Sequence, residues 1–247
     1  MIPAEIQRVG AGALLALGLS GCAGKHLPQP SLPPIPETVE GYSALCSARW
    51  QNTGKTWRAR VAVAYLPPES IRLEVFDPAG NSRSLLIATE TGALLLDPQR
   101  RTFRSYPSAA QATTELVGIA AMPQSVAQLL LGPAALLSEP GCSRGSDAAK
   151  ESIHRCPLPG GGELSFRSGD ETRATLTVPG GAPLALVWSD GPSGERVLPA
   201  WVELRQDAPS VLLHLETVEM RFSVPDPTLF SLLAPPGFTQ AGEEVVP

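Results

Sequence analysis

The residues able to do chemistry in this chain are few. Four cysteines stand at positions 22, 46, 142 and 156, and three histidines at 26, 154 and 214. His26 lies among prolines and His154 lies between two cysteines. His214 has Glu216 two places on, so as strand residues the two would share a face. The sequence has no Gly-x-Ser-x-Gly, no His-Glu-x-x-His and no phosphate-cradling glycine loop. Gly160-Gly161-Gly162 reads as a turn before a strand. No Cys-x-x-Cys or histidine pair has the spacing of a metal site. The residues thus offer neither a catalytic group nor a cofactor site, and the chain is not expected to be an enzyme. An exported hydrolase stays as a third reading, which a His–Asp/Glu–Ser cluster in a cleft would revive. Cys142 and Cys156 bracket the polar stretch CSRGSDAAKESIHRC, and a disulfide closing that loop is the preferred pairing. Cys46 is then a buried free thiol.

Cys22 has different surroundings. Arg8 is followed by an uncharged apolar run, Val9 to Leu19, too short to cross about 30 Å of hydrocarbon. The run fits the apolar region of an export signal. Leu19-Ser20-Gly21-Cys22 resembles the lipobox of bacterial lipoproteins, in which the cysteine thiol takes diacylglycerol after cleavage before it. The alternative is an ordinary secretory signal that contains a cysteine. On the first reading residues 1–21 are a signal peptide, Cys22 carries lipid, and membrane attachment is through that lipid. Residues 22–36 form a tether: five of the 14 residues from Ala23 to Pro36 are proline. Such a segment favours extended polyproline II or simple disorder. The domain is placed at residues 37–240, with 241–247 a tail. Ala23, after the lipidated cysteine, is not the aspartate that retains many lipoproteins at the inner membrane. The expected location is therefore the periplasmic face of the outer membrane.

Removal of residues 1–21 from 247 leaves 226, enough for one β-sandwich or barrel domain. The net charge of −5 comes with no basic stripe, which argues against nucleic acid. Anionic headgroups are not expected to be attracted either, so membrane attachment must come from the lipid. Arg100, Arg101 and Arg104 form the one local basic cluster in the sequence, read as a charged strand edge. The chain is expected to be a monomer.

The elements follow from periodicity. Residues 37–50 read as a short helix with Tyr42, Leu45 and Cys46 on one side. From Trp57 the period becomes two: Trp57, Ala59, Val61, Val63 and Tyr65 share a face. Ile71, Leu73 and Val75 do the same in a second strand. Asp77-Pro78-Ala79-Gly80-Asn81 is a turn. Strands follow near 84–89, 93–97 and 102–106. Helices are expected at 112–119 and from Pro123 to Gly132. Further strands fall near 163–167, 173–178, 184–189, 201–206, 211–217 and 219–224. LFSLLAPPGF closes the chain and is expected to plug an end of the sheet. About ten antiparallel strands without βαβ alternation must curl. The fold class is mainly β with short helices.

IRLEVFDPAGNSRSLLIA, ETGALLLDPQRRTFRSYP and ELVGIAAMPQSVAQLLLG, in that order, resemble the strand–turn–strand and helix–turn–helix segments of the outer-membrane lipoprotein receptor LolB and the LolA-like carriers. The resemblance covers residues 57–132. It implies a strongly curved antiparallel sheet forming an unclosed half-barrel, capped by helices over an apolar cavity. It implies an acylated lipoprotein or lipid as ligand, received from a LolA-like periplasmic carrier. Sheet residues of the cavity would be Trp57, Val61, Val63, Leu73 and Val75, with Leu85, Ile87, Leu94 and Leu96. Met122, Val126, Leu129 and Leu130 would face them from the helices. Pro78, Ala79 and Gly80 form the membrane-facing turn. The family carries a protruding leucine there, and Ala79 buries far less apolar area, so cargo insertion is in doubt. A second reading uses the same half-barrel, with a filled core, as a docking scaffold for assembly.

Overall fold

The computed structural model describes residues 32–52, 54–119, 121–138, 141–146, 152–158, 161–167, 170–189, 197–207 and 210–241. The expected signal peptide, Cys22 and most of the tether lie outside these residues.

Fourteen strands form one sheet among the described residues. The first half of the chain supplies β1 (Tyr42–Asn52), β2 (Lys55–Leu66), β3 (Ser70–Phe76), β4 (Ser82–Thr89), β5 (Gly92–Asp97) and β6 (Thr102–Tyr106). Three helices follow: α1 (Ala109–Val117), α2 (Pro123–Leu129) and α3 (Pro133–Leu137). The second half supplies β7 (Ser143–Ser146), β8 (Ser152–Leu158), β9 (Gly162–Arg167), β10 (Asp170–Thr177), β11 (Leu184–Trp188), β12 (Trp201–Gln206) and β13 (Val211–Arg221), then β14 (Thr239–Gln240). The order is β14-β6-β5-β4-β3-β2-β1-β13-β12-β11-β10-β9-β8-β7. All pairings are antiparallel except β14 on β6. The two ends, β14 and β7, do not meet, so the barrel is unclosed. The result is the mainly β, helix-capped half-barrel expected.

Several elements differ from expectation. Residues 42–52 are a strand, not a helix. Tyr42, Ala44, Cys46 and Ala48 are buried, alternating with Ser43, Ser47 and Arg49. The spacing of Tyr42, Leu45 and Cys46 suits a helix, but pairing on both sides with β2 and β13 wins. Leu45 falls on the outer side by the same alternation, and the register shift beside it leaves Val218 of β13 as the extra residue. The segments expected at 211–217 and 219–224 are one strand, β13. The cysteine loop holds the hairpin β7–β8. Helix α2 ends at Leu129, and Gly132-Pro133 opens the separate α3. The end of the presumed tether belongs to the domain: Ile35 is buried, Leu32 packs on the core, and Pro34 bridges to Val197.

The helices fill the concave side. Tyr42 donates its hydroxyl to the Ala127 carbonyl (2.6 Å), Gln124 Nε2 donates to the Glu69 carbonyl (2.6 Å), and Trp188 Nε1 donates to the Leu129 carbonyl (2.8 Å). These bonds tie α2 to both halves of the sheet. Burial holds the Tyr42 hydroxyl well above the ordinary range, with Cys46 and Tyr65 adding to it, so it stays a donor. Trp188 also stacks on Phe166, at 5.7 Å. Cys142 and Cys156 are joined as a disulfide across the β7–β8 hairpin. A loop of that length is stabilised by about 3 kcal/mol.

Candidate functional site

Between the helices and the sheet lies an apolar cavity of about 60 Å³. Its floor is Cys46 of β1, Val61 and Val63 of β2, Leu73 and Val75 of β3, and Leu213 and Leu215 of β13. Its roof is Thr113, Leu116 and Val117 of α1 with Val126, Ala127 and Leu130 of α2. The alternation of β2 and β3 dictates the floor, because inward residues recur every second position. Thr113 turns its hydroxyl back to the Ala109 carbonyl (3.0 Å), so no polar group enters the cavity from it. Burial pushes the Cys46 thiol up to about 12, with a hydrogen bond to Thr217 opposing. At neutral pH it is a small apolar neighbour, not a nucleophile.

Of the 13 residues expected to line a cavity, the structure brings together Val61, Val63, Leu73, Val75, Val126 and Leu130. Leu85, Ile87, Leu94 and Leu96 do not belong with them. They point to the convex side, where they form a second core with Phe230, packed by Phe103, Leu232 and Phe238. The inward residues of β4 and β5 are Leu86, Ala88, Ala93 and Leu95. Both strands are apolar on both faces, and so carry no alternation from which to choose a face. The closing segment decides it: the 3₁₀ turn Pro227–Phe230 and Phe238 cover the outside of the sheet instead of plugging its end. Met122 flanks the N-terminus of α2 and packs on the main core, and Leu129 is buried on the side of α2 that meets Trp188. Trp57 is at the rim, 42% exposed, stacked on Trp50 at 4.6 Å.

Sequence reasoning missed Leu213 and Leu215 of β13, and Leu116 and Val117 of α1. The signal for the first pair was present, since Val211, Leu213 and Leu215 alternate with Leu212, His214 and Glu216. It also missed the rim. Trp50 pairs with Leu213 across the sheet, and Asn52 lies against Gly118, next to Val117. Gly118 has φ +76° and ends α1 where a side chain would crowd the Asn52 amide. Trp50 Nε1 and Asn52 Oδ1 are buried without hydrogen-bond partners among the described residues. Neither residue lines the cavity, which is apolar throughout.

Helix α1 is the less buried of the two roof helices. Its buried residues are the small Ala109, Ala112 and Thr113, and no side chain caps its N-terminus. Its side-chain polar ties are at the surface: Arg104 to Glu115 at 2.8 Å, and the Tyr106 hydroxyl to the same carboxylate. Burial, then the Glu115 carboxylate, push the Tyr106 phenol up to about 12. Leu116 and Val117 pack against the core from its far end, so the helix is held by its apolar face with its polar ties outside.

The turn at Asp77–Asn81 is well formed. Pro78, Ala79 and Gly80 are exposed, and Gly80 takes φ +87°. Asp77 Oδ1 accepts from the Asn81 N–H (2.9 Å) and Oδ2 from Arg83 Nε (2.9 Å). Asn81 and then Arg83 hold that carboxyl down to about 2. His214 shares the convex face with Glu216, is stacked on Trp201 and lies 3.6 Å from Glu203. Among the described residues no group of three His, Cys, Asp or Glu is placed to hold a metal.

No family profile matches the chain, and no characterised protein matches it by sequence. Solved structures do. A DUF1329 family protein from Desulfovibrio piger is similar at TM-score 0.50 and 10% identity, over 78% of this chain and 90% of that one. A LolA superfamily protein from Nitrosomonas europaea gives TM-score 0.49 and 10% identity, over 80% and 92%. A protein from Vibrio parahaemolyticus, described as an outer membrane lipoprotein-sorting protein domain, gives 0.46 and 10%, over 78% and 90%. The Desulfovibrio protein shares the architecture of a curved, unclosed sheet over helices, and at 10% identity that likeness is one of fold alone.

Proposed function

We propose that this chain is a lipid-anchored receptor or carrier that holds an acyl chain in its half-barrel, with α1 as the element that lifts to admit it. The observation that carries the reading is the cavity itself, apolar on floor and roof and set between the sheet and the helices. Such a site suits an aliphatic chain and offers no polar group to a headgroup. Removing methylenes from water is worth about 0.8 kcal/mol each, which is the driving force. In the closed state 60 Å³ is less than half of the roughly 150 Å³ void that admits benzene. A long chain therefore requires displacement of the roof. The finer role follows from the resemblance at residues 57–132: receipt of acylated lipoproteins at the periplasmic face of the outer membrane, with Cys22 as the anchor.

The small closed volume favours a second reading, in which the interior is plain core and the half-barrel is a docking scaffold. Native mass spectrometry of the exported protein decides between them, together with titration of a fluorescent fatty acid. Co-purified lipid, or probe uptake abolished by Leu73→Glu in a variant whose sheet remains intact by circular dichroism, supports the carrier. Neither lipid nor probe uptake supports the scaffold.

A further inference from the structure

Helix α2 stands between the apolar cavity and a second, more open space. Val126, Ala127 and Leu130 line the cavity, whereas Gln128 and Leu131 line a cleft of about 480 Å³ at the end of the half-barrel where β2 turns into β3. That volume is in the range of small-molecule sites. Apolar walls come from Val39 ahead of β1, from Tyr65, Pro67 and Pro68 at the β2–β3 turn, and from Leu131 and Leu136 around α3. Donors along these walls are largely spent inside the protein. Tyr65 donates its hydroxyl to the Pro68 carbonyl (3.2 Å), and Ser138, also at the cleft, donates to the Ala134 carbonyl (2.8 Å). The backbone N–H groups of Leu131, Leu136 and Ser138 close helical turns on the carbonyls of Gln128, Gly132 and Ala135. Pro67 and Pro68 have no N–H to give. An acceptor, by contrast, is left over: Gln128 Oε1 is buried and has no hydrogen-bond partner among the described residues. No Lys or Arg is among the lining residues, and the one charged side chain there is the carboxylate of Glu37, exposed at the mouth.

We propose that this cleft is a second binding site, and that its ligand is a protonated primary amine carried on an apolar chain. A buried acceptor without a partner costs free energy that a donor from a ligand recovers. An ammonium brings three donors and no acceptor, the complement of walls whose own donors are occupied. The apolar body of such a ligand lies against the prolines, Tyr65 and the two leucines, and its charge has the sign that the Glu37 carboxylate attracts. A carboxylate or phosphate of the same size finds no cationic side chain in the cleft and meets a like charge at its mouth. Because α2 lies between the two spaces, the cleft does not depend on what the cavity holds.

The test uses the chain from residue 22 onward, which contains every described element, with Cys22→Ser so that no acyl anchor contributes. Three probes with the same six-carbon chain are compared by calorimetry and by nuclear magnetic resonance: hexylamine, hexyltrimethylammonium and hexanoate. They are titrated to about 10 mM, since a probe this small is expected to bind at about 1 mM. Hexylamine should bind and should shift the side-chain amide signal of Gln128. Hexyltrimethylammonium has the same charge but no N–H, and should bind at least about tenfold more weakly; hexanoate should not bind in the cleft. Gln128→Met keeps the length of the side chain and removes the acceptor. It should weaken hexylamine by between about tenfold and a hundredfold, the value of a hydrogen bond to a charged group. The variant should melt no lower than the parent, because it removes an unpartnered buried oxygen; a lower melting temperature would assign Gln128 to the fold and overturn the proposal. Absence of hexylamine binding, equal binding of the two cations, or hexylamine binding unchanged by Gln128→Met also overturns it. Leu73→Glu, which alters the cavity, should leave hexylamine binding as it is, so failure of the acyl-chain reading and failure of this one are read separately.

Discussion

Adding one methylene to the cavity separates a binding site from a core. Val63 is 4% exposed and lines the floor between Ala44 of β1 and Leu73 of β3. A void of 60 Å³ costs about 1.4 kcal/mol at roughly 24 cal/mol per Å³. Val63→Ile places one further carbon there, and its burial is worth about 0.8 kcal/mol. If the carbon fits, the melting temperature rises by about 2–3 °C for a domain of this size. If it does not, overpacking lowers stability by about 1–3 kcal/mol. The carrier reading makes a second demand. A carbon that occupies the floor displaces a ligand carbon, so affinity for an acyl probe falls by about fourfold or more while stability rises. Thermal unfolding and a fatty-acid titration on the same preparation read both numbers. Higher stability with unchanged or tighter probe binding refutes the claim that this cavity holds the chain.

Other consequences follow from the same geometry. Cys46 should resist alkylation at neutral pH in the folded state, and a saturating acyl probe should slow its residual reaction further; rapid labelling of the native protein would mean that the roof is not closed over it. Leu96→Glu should not block the cavity but should detach the closing segment, because Leu96 lies under Phe230; limited proteolysis should then cut near residues 231–238 while acyl binding persists. The Asp77 carboxyl, held down to about 2 in the folded turn, contributes order that is complete above about pH 4 and lost as pH falls toward 2. Hydrogen exchange at the Asn81 amide should follow that window, and Asp77→Ala should show the fast rate at every pH. Cys22→Ala should release the protein from membranes, and a labelled membrane pool that survives the substitution would reject the lipoprotein assignment.

The sequence by itself determined the strand alternation of β2 and β3 and, through it, four of the seven floor residues of the cavity. Where one face is apolar and the other charged, as at Leu73 between Arg72 and Glu74, the register has one solution. The cysteine pair and the turn at Asp77–Asn81 were likewise legible, being local. Only the tertiary structure decided the rest. Residues 42–52 became a strand because β13, more than 150 residues away, pairs with them; their small inward alanines give a weak alternating signal that a helical spacing can imitate. LLIA in β4 and ALLL in β5 are apolar on both faces, and which residues face the helices was settled by a segment near the C-terminus that covers the other side. Arg49 and Arg58 are nine positions apart in the chain, and only the β1–β2 register sets them opposite each other.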